Sequence, residues 1–155
     1  MDHRRELDDQ IIASYRTVAR GLDRVMLPRL IQVGLTMPQF KALIAVTAAG
    51  PQGISVTELG SELSIGQPSA SLIVDQLVRP AYVVRVPDKA DRRRVLVTAT
   101  PKGIDLATEL RFGRRSTLYA WLDGVGDEDA EALLKGLRAF ALAVEAYSSN
   151  RVPTS

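Results

Sequence analysis

The sequence predicts a mainly α fold with a small β-hairpin wing, a winged helix-turn-helix core flanked by longer terminal helices. Three observations carry that expectation. A capped short helix, a tight turn and a proline-started amphipathic helix follow one another between Ser55 and Arg79. Two β-branched runs then bracket an arginine-rich loop. Apolar residues at helical spacing form long stripes toward both ends of the chain.

From Glu6 to about Ile31, Leu7, Ile11, Tyr15, Val18, Leu22 and Val25 step by four and three, a seam suited to another helix. Pro28 is expected to kink or interrupt its far end. Thr36 with Gln39 has the spacing of a capping box, and Phe40, Leu43, Ile44 and Thr47 mark the helix behind it. Gly50-Pro51-Gln52-Gly53 breaks that helix. Ser55 and Glu58 form a second capping box and start a helix ending near Leu63. A turn over residues 64–67 follows, with Gly66 the residue expected to take a positive φ.

Pro68 sits in the first turn of the next helix, where its missing N–H costs nothing. Ala70, Ile73, Val74 and Leu77 make one apolar face, and Pro68, Ser71, Leu72, Asp75, Gln76 and Arg79 lie opposite. Gln67 and Ser69 stand at the exposed N-terminal end. This arrangement suits a helix that packs by one side and offers small polar groups to base edges or phosphates. Tyr82–Val86 and Val95–Thr98 read as strands around residues 87–94. From Arg79 to Arg94 there are six basic and two acidic residues, a net of +4 against +2 for the whole chain. A basic loop between paired strands can place arginine in a minor groove. Beyond it, Thr100 is expected to cap a helix starting at Pro101 and running to about Leu122, with Gly113 marking a bend or a close contact. Asp127, Glu128 and Asp129 suit the positive end of a last helix carrying Leu133, Leu137, Phe140, Val144 and Tyr147.

In order, residues 35–40, 55–59, 66–71, 88–94 and 96–103 resemble the MarR family of transcriptional regulators. The most specific pieces are Asp91 and Arg93 in the loop and Thr100-Pro101-Lys102-Gly103 after the second strand. Two positions depart from the family pattern. Leu72 follows Ser71 where the family often has arginine, and Arg79-Pro80-Ala81 stands where a turn glycine is usual. Leu72 is suited either to touching a thymine methyl or to covering an apolar spot. The resemblance implies a homodimer formed by helices 6–33 and 101–147 and a DNA-binding lobe over 36–99; the sequence itself reads as one domain with a disordered tail over 148–155. It places the recognition helix, 67–79, in the major groove through Gln67, Pro68, Ser69, Ser71, Leu72 and Gln76. The wing, 87–94, enters the minor groove through Arg92 and Arg93, with Asp91 orienting a wing arginine. Ser55, Thr57, Arg79, Lys89 and Arg94 are the candidate phosphate contacts. A two-fold dimer would read a pseudo-palindromic double-stranded operator. Repression is the family's common mode, and a small-molecule effector, with an anionic aromatic among the candidates, would sit near Tyr15, Val18, Phe40, Ile44, Leu110 and Arg111.

Composition narrows the alternatives. The chain has 155 residues, 46% hydrophobic and 25% charged, with no cysteine and one histidine, His3. Disulfides, thiolate zinc sites and cysteine redox sensing are therefore excluded, and no cofactor or metal is expected. No glycine-rich phosphate loop or nucleophile–base set can be assembled, so an enzyme is not expected. With no apolar run long enough for a bilayer and no signal-like start, a cytoplasmic location is expected and membrane association is not. The competing functional reading is a winged-helix protein-interaction module without specific DNA binding, for which the outward Leu72 is the main support.

Overall fold

The computed structural model describes residues 2–149 apart from Lys89, Arg92 and Arg93. Six helices and three short strands follow in the order α1 (Asp2–Gln32), α2 (Met37–Ala49), β1 (Ile54–Ser55), α3 (Val56–Leu63), α4 (Gln67–Val78), β2 (Val83–Pro87), β3 (Val95–Ala99), α5 (Pro101–Leu122) and α6 (Asp127–Ser149). The expected architecture, mainly helical with a hairpin wing, is the one observed. The chain divides inside α5 into two compact units, residues 1–114 and 115–155.

In the first unit, α1 runs unbroken through Pro28. Met26 and Leu30 beside it are buried, and that burial outweighs the one hydrogen bond the proline removes. The helix closes on Gly34 at φ 70, with the Leu35 amide donating to the Leu30 carbonyl at 2.9 Å. The glycine takes the left-handed position and the two leucines meet beneath it. Both expected capping boxes form. The Thr36 amide donates to Gln39 Oε1 at 2.7 Å and the Gln39 amide to Thr36 Oγ1 at 3.4 Å. The Ser55 amide donates to Glu58 Oε2 at 2.9 Å and the Glu58 amide to Ser55 Oγ at 3.2 Å.

Helix α2 is the centre of this unit. Phe40, Ala42, Leu43, Ala45 and Val46 are buried on several of its sides, which lets α3, α4 and β3 all pack on it. The sheet has the order β1-β3-β2, both pairings antiparallel. In the hairpin Val83 pairs with Ala99, Arg85 with Val97 and Pro87 with Val95. The two-residue β1 is too short to carry a sequence pattern, and pairing with Leu96 and Val97 is what makes it a strand. The turn between α3 and α4 differs from expectation at one residue. Ser64 is left-handed at φ 56, whereas Gly66 has φ −66 and caps α4. The Ile65 amide reaches the Gly60 carbonyl at 2.9 Å, a closure that fixes the left-handed residue at the helix end and leaves Gly66 extended.

In the second unit, the end of α5 and α6 are joined by a short turn. Arg115 donates to the Tyr119 hydroxyl at 2.9 Å and lies over its ring. The acidic residues Asp127, Glu128 and Asp129 occupy the first turn of α6 as expected. Its stripe of Leu133, Leu137, Phe140, Val144 and Tyr147 is exposed within the single chain, as are Leu7, Ile11, Tyr15 and Val18 on α1. The tail expectation over 148–155 falls mostly outside the described residues; α6 itself continues to Ser149.

Candidate nucleic-acid interface

Helix α4 is held by one line of side chains. Ala70, Val74 and Leu77 are fully buried against α2, α3 and the sheet. At 100° per residue the opposite side then falls on Pro68, Leu72, Asp75 and Arg79, all of them exposed, and Gln67 and Ser69 are exposed at its start. Thr57, on the first turn of α3, is exposed as well.

Other predicted contacts are tied into the lobe. Gln76 accepts a hydrogen bond from Gln39 Nε2 at 2.9 Å, fastening α4 to the capped start of α2. Ser71 is half-buried and accepts from Arg85 Nη2 at 3.3 Å. The same guanidinium donates to Asp75 Oδ1 at 2.8 Å. Arg85 can do this because it shares the face of β2 with buried Val83 and pairs with buried Val97, so it points toward α4 rather than away. The sequence reading passed over Arg85. The signal was available in the period-2 alternation, which puts a charge on the inward side of the hairpin and so demands a carboxylate.

The base of the wing is built around Arg94. Its amide donates to the Asp91 carbonyl at 2.8 Å, and its carbonyl accepts from the Asp88 amide at 3.0 Å. Its guanidinium donates to Glu58 Oε1 at 3.2 Å and lies 3.9 Å from Asp88 Oδ2. Asp88 Oδ1 in turn accepts from the Ala90 amide at 2.8 Å. Glu58 thus serves both the cap of α3 and the wing. Hydrogen bonds from Ser55, first the hydroxyl and then the amide, hold its carboxyl below the usual glutamate range, and Arg94 adds to this. Lys89, Arg92 and Arg93, the predicted wing-tip and phosphate contacts, lie outside the described residues.

The turn joining α4 to β2 is locked by the start of α5. Thr100 Oγ1 donates to the Ala81 carbonyl at 2.6 Å and accepts from the Gly103 amide at 3.1 Å. Lys102 donates to the Pro80 carbonyl at 2.9 Å and sits over the Tyr82 ring. A side chain at Gly103 would run into the Tyr82 backbone. Thr100, Lys102 and Gly103 therefore form a clasp on the exit from α4, each through a different contact.

The predicted effector residues are not gathered around one opening. Phe40 and Leu110 are buried in the core with Ile44 packed against it, whereas Tyr15, at 65% exposure, and Val18 lie on the surface of α1 and Arg111 is exposed on α5. A shallow cleft on α1 is lined by Arg5, Glu6, Asp9, Gln10 and Ala13. Among the described residues no group of three or more His, Cys, Asp or Glu side chains is placed to hold a metal ion, and no single helix is long and apolar enough to cross a membrane.

Residues 33–94, which contain α2 to α4 and the base of the wing but not the clasp at 100–103, match the model of the MarR family. Over this segment the chain is similar to the MarR family. It is 33% identical over 81 residues to the multiple antibiotic resistance protein MarR of Salmonella typhimurium, an alignment covering 52% of this chain and 55% of that one. The chain thus spans about half the length of the curated relatives it matches. In fold it is similar to a MarR family protein from Bacillus stearothermophilus, with a TM-score of 0.78 at 23% identity, covering 94% of this chain and 99% of that one. It is likewise similar to MepR of S. aureus as solved in a MepR–DNA complex, with a TM-score of 0.68 at 19% identity, covering 84% and 96% of the two chains.

Proposed function

We propose that this chain is a sequence-specific, double-stranded-DNA-binding transcriptional regulator of the MarR type. In this reading α4 enters the major groove by Gln67, Pro68, Ser69 and Leu72, and the wing reaches the minor groove by Arg92 and Arg93. The observation that carries it is the placement of α4: the second helix of a helix-turn-helix, buried along one line and open along the other, beside a hairpin segment of net charge +4. Ser71 and Gln76 enter this reading as residues that orient the helix, since their side chains are bonded to Arg85 and Gln39.

The same reading makes the protein a homodimer, a repressor released by a small molecule, and cytoplasmic. Support for the dimer is the pair of exposed apolar stripes, on α1 and on α6, which a soluble monomer would not leave in water. Two copies related by a two-fold axis would read a pseudo-palindrome. Sedimentation equilibrium tests the dimer. Fluorescence anisotropy tests the DNA reading, using duplex from the region upstream of the protein's own gene against a scrambled duplex at several salt concentrations. Preference for the former at physiological salt is the expected result. Equal binding that vanishes with salt would leave only non-specific electrostatics and favour the interaction-module reading.

A further inference from the structure

Leu72 is 56% exposed and lies across the helix from the buried Ala70, Val74 and Leu77. That exposure weighs against the reading in which Leu72 covers an apolar spot, since more than half of the side chain stands open. Its polar neighbours are already engaged. The Asp75 carboxylate is bound by Arg85 at 2.8 Å, and the Ser71 hydroxyl by the same guanidinium at 3.3 Å. The centre of the outer face is therefore the isobutyl group of Leu72 with the Pro68 ring one turn earlier, beside a carboxylate whose charge is compensated. In a major groove the one apolar feature of the base edges is the C5 methyl of thymine. One leucine and one proline fall far short of the roughly 800 Å² per partner that a stable protein interface buries, but they suit a methyl contact.

We infer that Leu72 is a specificity-determining residue that reads a thymine C5 methyl in the major groove. This rests on the DNA-binding reading of α4. Arginine would read a guanine edge by hydrogen bonds from this position; leucine reads a methyl by exclusion of water.

The test begins with selection of bound duplexes from a random library by the full-length chain. Each thymine of the selected site is then replaced by deoxyuridine, which removes the methyl and keeps the base pairing. Wild-type protein should lose about fourfold in affinity per contacted methyl, the size expected for one buried methyl-sized group. Leu72→Ala, a substitution at an exposed helix position, should lose a similar factor on the thymine duplex and be insensitive to deoxyuridine at that same position. A selected site at which no deoxyuridine matters, or matters equally to wild type and Leu72→Ala, overturns the inference while leaving DNA binding intact. A selection that enriches no sequence overturns the DNA-binding reading and the inference together, and returns Leu72 to a protein contact.

Discussion

Replacing Ala81 by glycine should stabilise the winged-helix lobe. Ala81 holds φ 61, one of two non-glycine residues with positive φ among those described. Its conformation is imposed from three sides. Its amide donates to the Val78 carbonyl at 2.9 Å, the next amide, of Tyr82, donates to the Leu77 carbonyl at 3.0 Å, and its own carbonyl accepts from Thr100 Oγ1 at 2.6 Å. A left-handed alanine costs about 1–2 kcal/mol through contact between its Cβ and the backbone. Glycine escapes that cost but gives the unfolded chain more freedom, which takes back about 0.4–1 kcal/mol. The difference is a gain of roughly 0.5–1 kcal/mol, read as a higher urea midpoint with unchanged slope. Gly34→Ala is the mirror experiment. Gly34 has φ 70 and nothing within 4 Å of an added Cβ, so only the dihedral cost acts, and a loss of about the same size is expected. If Gly34→Ala destabilises while Ala81→Gly is neutral or destabilising, the claim of strain at Ala81 is wrong.

Gly103→Ala should act in the opposite sense, since its Cβ meets the Tyr82 backbone. We expect a loss of about 1–3 kcal/mol or more in urea denaturation, and a loss below that range would show that the clasp yields. Glu58 has a folded pKa below its unfolded one, so its contribution is present above the ordinary glutamate range and is lost as pH falls through its lowered value. Glu58→Gln should flatten that acid limb, and an unchanged acid profile would remove Glu58 from the account of wing stability. Arg93→Ala should weaken specific DNA binding by about 1–3 kcal/mol if Arg93 makes a good groove contact; unchanged affinity in anisotropy titrations would exclude it from the groove.

What the sequence discloses here is what is decided within a few residues. The two capping boxes and the Thr100 cap are legible because donor and acceptor lie three residues apart, and the start of α4 because one residue, Pro68, marks it. The winged-helix order is legible because its helices and the two hairpin strands carry their own periods, whereas β1 does not. The ties that set the interface span longer distances: Arg85 to Asp75 is ten residues, Arg94 to Glu58 thirty-six and Gln39 to Gln76 thirty-seven. No local pattern chooses those partners. Ser71 and Gln76 were accordingly assigned to DNA from their place on the helix, with nothing to indicate that Arg85 and Gln39 hold them. The usual turn glycine is absent from Arg79-Pro80-Ala81, yet the left-handed conformation persists at Ala81 because the Thr100 clasp and the helix-end amides enforce it.

The long-range ties also change what the basic hairpin can offer to a duplex. Six cations between Arg79 and Arg94 suggest up to six phosphate contacts per lobe. Arg85 is bonded to Asp75, however, and Arg94 to Glu58 with Asp88 close by. Counting Glu58 and Asp75 with the segment, six basic residues face four acidic ones and the net falls from +4 to +2. With Arg85 and Arg94 set aside, the segment holds four other cations by sequence, Arg79, Lys89, Arg92 and Arg93, so the count that can add to the salt dependence is at most about four per lobe. With a slope near 0.9 per phosphate neutralised, a dimer engaging both lobes should show a log–log salt dependence of about −7, whereas full use of six cations per lobe would give about −11. Arg94→Gln separates the two accounts further. As a wing-base residue it should lower stability and leave the slope of the remaining folded protein unchanged; as a phosphate contact it should reduce the slope by about one per lobe. A slope near −11, or such a drop in Arg94→Gln, would mean that these ion pairs open when DNA arrives.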